Sequence, residues 1–119
     1  MVRILLAEDD DDLRVFLKKA LERAGHEVVD FADGETAWAV LKGEHFDLLL
    51  TDIVMPLMDG IELARKAADK YPELRIMFIT GFAAVALTPE SGAPERASVL
   101  SKPFHLRQLV SEIDRLMAA

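Results

Sequence analysis

The stretch Leu49-Leu50-Thr51-Asp52 decides how this chain reads. It is an apolar run that ends on a carboxylate, and a turn carrying Pro56, Asp59 and Gly60 follows at once. An apolar run of strand length stopped by turn residues reads as a strand buried on both faces. In an open parallel sheet the carboxyl ends of such strands face the crevice where ligands bind. Asp52 is therefore expected at a site, and the question becomes what else converges on it.

Outward from that strand, which we place at residues 46–52, strands and helices alternate. Residues 3–7 (RILLA) form a short buried run ahead of the acidic cluster Glu8 to Asp12. Leu13, Phe16, Leu17, Ala20, Leu21 and Ala24 recur at three- and four-residue spacing, with Arg14, Lys18, Lys19, Glu22 and Arg23 between them, and Gly25 stops that helix. Val28, Val29 and Phe31 suggest a second strand. Asp33-Gly34 opens a second helix with Ala37, Trp38, Val40 and Leu41 inward. Residues 60–70 read as a third helix ended by Tyr71-Pro72. Residues 76–80 (IMFIT) read as a strand, 83–87 as an Ala-rich helical turn, and 88–94 as a mobile loop. A short strand over 98–100 and an amphipathic helix over 106–117 complete the chain.

Five such alternations predict an α/β fold of (βα)5 type, a doubly wound, flavodoxin-like sheet of five parallel strands in the order 2-1-3-4-5. The chain of 119 residues is read as one domain, 1–119, without an output domain. A hydrophobic fraction of 51% suffices for a core. A net charge of −7 argues against nucleic acid as a partner. The absence of cysteine excludes disulfides and thiolate metal sites. Met1-Val2-Arg3 runs directly into the first strand, so neither a signal peptide nor a membrane span is read, and a cytoplasmic protein is expected.

In this topology the loops after strands one, three, four and five share one edge. They supply Glu8, Asp9 and Asp10, then Asp52, then Thr80, then Lys102. Two carboxylates ~4 Å apart at an effective dielectric near 20 repel by about 4 kcal/mol. A divalent cation removes that cost, and oxygen ligands without His or Cys point to Mg²⁺. A carboxylate held there can attack phosphorus, with the Thr80 hydroxyl and Lys102 ammonium receiving the phosphoryl oxygens. Asp10, Asp11 and Asp12 read instead as helix-starting acids. His26, His45 and His105 read as solvated. A haloacid-dehalogenase-like phosphatase would need a second acid where Val54 stands. A dinucleotide fold would need glycines where the first turn is acidic.

Four motifs in order carry a resemblance to a known family: Ile4-Leu5-Leu6-Ala7-Glu8-Asp9-Asp10, Thr51-Asp52-Ile53-Val54-Met55-Pro56 with Asp59-Gly60, Thr80-Gly81, and Ser101-Lys102-Pro103-Phe104. The chain resembles the CheY-like receiver domain of two-component response regulators. The resemblance implies that Asp52 is the phosphoacceptor and Asp9 a direct Mg²⁺ ligand. Glu8 would act through water, and the Val54 carbonyl would complete the ligands. Thr80 and Lys102 would contact the phosphoryl group, with a cis bond before Pro103. The implied donors are a histidine kinase, a histidine phosphotransfer protein or small acyl phosphates, and the implied chemistry is limited to the domain's own phosphorylation and dephosphorylation. Val99 stands where many receivers carry a switching aromatic.

The stretch 77–87 and the end 116–119 further resemble single-domain receivers that engage the ClpXP protease and its substrates when unphosphorylated. A phosphorelay intermediate or phosphate sink is the alternative. Val54 and Phe82, apolar beside the line of water attack, imply a long-lived phosphoryl group. A partner face is expected over Phe82, Val85, Leu87, Val99 and Phe104.

Overall fold

The computed structural model describes residues 2–81 and 88–118. Five parallel strands, β1 (Arg3–Ala7), β2 (Glu27–Phe31), β3 (Leu48–Thr51), β4 (Arg75–Thr80) and β5 (Ser98–Ser101), form one sheet in the order β2-β1-β3-β4-β5. The helices are α1 (Asp11–Arg23), α2 (Gly34–Leu41), α3 (Gly60–Lys70) and α4 (Leu106–Ala118). The predicted doubly wound α/β fold is what forms. The helical turn expected over 83–87 lies outside the described residues.

Three of these four helices, α1, α2 and α3, start where an acid caps them. The Asp10, Asp33 and Asp59 side chains accept from the main-chain N–H groups of Leu13, Thr36 and Glu62, satisfying one otherwise unpaired donor at each helix start. Asp10, Asp11 and Asp12 thus serve α1 as read from the sequence. Two of these caps precede a glycine for a packing reason. A Cβ on Gly34 would lie 2.1 Å from the Met58 carbonyl oxygen, and one on Gly60 would lie 1.8 Å from that of Asp52. Glycine at the head of α3 therefore lets that helix close onto the main chain of Asp52.

The sheet divides the core into two layers. Leu5, Leu49, Ile76 and Phe78 pack with α2 and α3, whereas Ile4, Leu6, Leu50, Met77 and Ile79 pack with α1 and α4. β3 is buried at every residue, which explains its unbroken apolar sequence. Two expectations are corrected. The third strand is shorter than 46–52, since Phe46 and Asp47 only lead into it and Asp52 follows it. Phe16 does not line the core but is 54% exposed, as Leu17 and Leu21 alone bury fully and the row Phe16, Ala20, Ala24 lies at the stripe's edge. The segment 88–94 holds a turn of 3-10 helix at Pro89–Ser91, stopped by Gly92 at φ 82. Among the described residues no helix is long and apolar enough to cross a membrane.

Candidate functional site

The C-terminal edge of the sheet assembles the predicted residues. β1 and β3 are neighbours, and the Asp52 N–H donates to the Ala7 carbonyl at 3.0 Å, extending the ladder beyond both strands. Glu8 and Asp52 therefore leave adjacent strand ends side by side. One ligand oxygen from each of Glu8, Asp9 and Asp52 lies within 4.8 Å of the others. Glu8 and Asp52 are buried, and Asp9 is exposed at the rim.

Lys102 reaches this cluster from the loop after β5. Its Nζ donates to Asp52 Oδ2 at 2.8 Å and to Glu8 Oε1 at 3.1 Å. The peptide bond between Lys102 and Pro103 is cis, as the resemblance implied. Thr80 ends β4 fully buried, pairs with Ser101, and accepts the Lys102 main-chain N–H at 2.8 Å. Asp52 Oδ1 accepts the N–H of Ile53 at 2.6 Å, leaving Oδ2 to the lysine. Two separate hydrogen bonds thus orient the carboxylate.

Burial pushes the Glu8 carboxyl up to about 7, with the nearby charge of Asp52 adding to the rise. The N–H of Asp10 and the ammonium of Lys102 act against it. Burial pulls the Lys102 ammonium down, but the hydrogen bonds it donates to Asp52 and Glu8 outweigh that and raise its pKa. One ammonium is thus shared by two buried carboxylates, while a third, Asp9, faces the same space. This all-oxygen donor set suits a hard divalent cation. The 4.8 Å span is close to the ~4.2 Å separating opposite oxygens around Mg²⁺. The residues present therefore fit the ion.

Val54, whose carbonyl the resemblance makes a ligand, is 57% exposed in the β3–α3 loop, two residues after Asp52. Of the expected partner face, Val99 packs half-buried against the α2–α3 layer, and Phe104 packs half-buried against the α1–α4 layer on the other side of the sheet. Phe82, Val85 and Leu87 lie outside the described residues. Sequence reasoning overlooked Arg14, which it placed only among the charges between the apolar positions of the first helix. A cation in the first turns of a helix that opens on three acids was the available signal.

A switch-point cluster of carboxylates countered by one lysine, on a 2-1-3-4-5 sheet, defines a receiver-type α/β domain. The chain belongs to the response regulator receiver domain family, which it matches over residues 4–114. It is 65% identical to the response regulator receiver protein CpdR of Brucella abortus (strain 2308), over 100% of this chain and 99% of that protein. It is 32% identical to the sensor kinase CckA of the same organism, covering 96% of this chain but 12% of that one. Among solved structures, a CheY-like receiver domain from Methanospirillum hungatei JF-1 superposes with a TM-score of 0.86 at 30% identity, covering 99% of this chain and 94% of that one. The response regulator TrrA of Thermotoga maritima, solved with Mg²⁺ and BeF, superposes at 0.83 with 28% identity, covering 98% and 99%.

Proposed function

We propose that Asp52 accepts a phosphoryl group from a phosphohistidine of a histidine kinase or histidine phosphotransfer protein, or from a small acyl phosphate. The supporting observation is the placement of its carboxylate, buried and aimed by Ile53 N–H and Lys102, within 4.8 Å of oxygens from Glu8 and Asp9. Asp52 Oδ2 attacks phosphorus, a P–O bond forms, and the P–N bond to imidazole breaks with the electron pair leaving on nitrogen. The product is an aspartyl phosphate. Glu8, Asp9, Asp52 and the Val54 carbonyl would hold Mg²⁺, which when bound neutralises charge on the phosphoryl oxygens.

The chain's own residues do the rest. Lys102 exchanges its contact with Asp52 Oδ2 for a phosphoryl oxygen, and the Thr80 hydroxyl donates to another. Phosphorylation thus removes the bridge that ties Lys102 to Asp52, and Lys102 also hangs from Thr80 through its main-chain N–H. A change of charge at Asp52 is transmitted to β4 and β5 by those bonds. Asp52→Ala should abolish labelling by acetyl phosphate or by a phosphorylated histidine phosphotransfer domain, with the melting transition kept cooperative. Labelling of that variant at the wild-type rate would show the acceptor to be elsewhere.

We further infer a cytoplasmic single-domain output by protein contact, as an adaptor engaging the ClpXP protease in the unphosphorylated state. What supports it is 65% identity along the whole chain to a protein named CpdR, together with the stretch 77–87 and the end 116–119. Immobilised Asp52→Ala should retain ClpXP as well as the unphosphorylated wild type does, and acetyl phosphate should release only the wild type. Retention by neither form would leave the phosphorelay intermediate as the better reading.

A further inference from the structure

Arg14 sits on the second turn of α1, where the helical pattern assigns it to solvent, yet its side chain is only 16% exposed. All three guanidinium nitrogens are engaged. Nη1 donates to the main-chain carbonyl of Glu8 at 2.9 Å, Nη2 to Asp11 Oδ1 at 2.6 Å, and Nε lies 3.2 Å from Asp30 Oδ2. Asp30, at the end of β2, is held in turn by Lys18 at 3.2 Å. A guanidinium braced by two carboxylates has little freedom left, so its third contact is fixed in direction.

That third contact is the one with consequence. The Glu8 carbonyl belongs to the peptide joining Glu8 to Asp9. The peptide before it is held because the Glu8 N–H donates to the Phe31 carbonyl at 3.0 Å. The peptide after it is held because the Asp10 N–H donates to Glu8 Oε2 at 3.1 Å. Asp9 itself is exposed, and its side chain has no hydrogen-bond or ion-pair partner among the described residues. Its direction is therefore set by its backbone alone, and among the described residues the only side chain from outside the loop that holds that backbone is Arg14.

We propose that Arg14 is a positioning residue for cation binding: by clamping the Glu8–Asp9 peptide it aims the Asp9 carboxylate toward Glu8 and Asp52. This rests on the reading of the cluster as a divalent-cation pocket. Outer partners of metal ligands commonly affect affinity by about ten- to a hundredfold. A second, opposite effect separates positioning from mere charge. A positive group beside the pocket repels a cation, so removing it would tighten Mg²⁺ binding if charge were its whole role. If Arg14 positions Asp9, the same removal weakens binding.

The test is a Mg²⁺ titration of the full chain by calorimetry for wild type, Arg14→Met, Arg14→Lys and Asp11→Ala. Arg14→Met should weaken Mg²⁺ about tenfold. Arg14→Lys, which keeps the charge but cannot fork, should fall between, at about threefold. Asp11→Ala removes one of the two braces and keeps the one from Asp30, so it should weaken Mg²⁺ less than Arg14→Met does, by about twofold. A loss as large as that of Arg14→Met overturns the assignment to the carbonyl contact. Wild-type or tighter affinity in Arg14→Met overturns the proposal. If that variant does not fold, wild-type affinity in Arg14→Lys overturns it equally. A wild-type chain that binds no Mg²⁺ defeats the pocket itself, and the role of Arg14 with it.

Discussion

The two edges of the sheet are built from the same ingredients and behave oppositely. At the N-terminal edge, Arg3 pairs with Glu27 and with Glu44 Oε1 at 2.7 Å, stacks over the Phe46 ring at 4.3 Å, and gives its main-chain N–H to Asp47 Oδ2 at 2.8 Å. At the C-terminal edge, Lys102 meets Glu8 and Asp52 with Asp9 nearby. Both gather three acids around one strongly basic residue, with His45 adding a second partner for Asp47 at the N-terminal edge. The N-terminal acids keep between a third and a half of their side chains in solvent, and the hydrogen bond from Arg3 N–H holds the Asp47 carboxyl below the usual range. Glu8 has no exposed surface, and burial raises it to about 7. Inventory alone does not make a site. Burial turns a neutralised edge into one that gains by binding a cation or passing on charge.

The largest expected break between the edges is Lys102→Met. It leaves two buried carboxylates without their counter-ion, and losing one partner of a buried pair is strongly destabilising. Lys102 is partly exposed, so a loss of about 3 kcal/mol is expected at pH 8 in EDTA. The loss should shrink at pH 5.5, where Glu8 takes up a proton. Urea denaturation at the two pH values checks this, and a loss equal at both would refute the shared-charge picture. Arg3→Met, at the other edge, should cost under about 1 kcal/mol at either pH, because exposed pairs contribute little.

Next in size is the pH dependence of the metal-free protein. Glu8 has a folded pKa raised from 4.5 to about 7, so the folded state binds its proton more tightly. The contribution is fully present below pH 4.5 and is lost as pH rises through 7. Stability should therefore decline by about 2–3 kcal/mol between those limits, and Glu8→Gln should remove that decline. Asp47 runs the other way, since a depressed carboxyl contributes above its unfolded pKa and loses the contribution as pH falls through the folded one. With more than a third of its side chain in solvent, that acid limb should be shallow. A Glu8→Gln curve parallel to wild type would show that burial does not control this edge.

The contrast between the edges also marks what the sequence could tell. The strands were legible because β1, β3 and β4 each carry an apolar run, with Glu8 and Asp52 directly after β1 and β3 and Thr80 closing β4. The identity of the functional edge followed from topology, since parallel strands put all those ends together. The exposure of Phe16 was not legible, because two adjacent helical rows share its spacing and only the width of the buried stripe separates them. Nor was the division of Val99 and Phe104 between two faces, since β5 and the loop after it alternate sides over a few residues. Arg14 escaped because one of its acceptors, the Glu8 carbonyl, is a main-chain group, which leaves no trace in side-chain patterns.

The smallest effect is the most telling, because one kind of substitution should act with opposite sign at the two edges. Asp9→Asn removes a negative charge from a rim already facing two carboxylates, so in EDTA it should stabilise the chain by about 1 kcal/mol. Asp9 is exposed and solvent screens much of the repulsion, which limits the gain. Asp47→Asn removes a charge whose oxygens accept from Arg3 N–H at 2.8 Å and from His45 Nε2 at 3.1 Å. An amide oxygen still accepts one of these, so the expected cost is about 0.5 kcal/mol. Mg²⁺ should then reverse the ranking at one edge only. At a hundred times its Kd it stabilises the wild type by about 2.7 kcal/mol, should leave Asp47→Asn with the same gain, and should give Asp9→Asn much less. Thermal melts of the three proteins with and without Mg²⁺ read all of this at once. A Mg²⁺ shift as large in Asp9→Asn as in wild type would mean that the cation does not sit among these carboxylates.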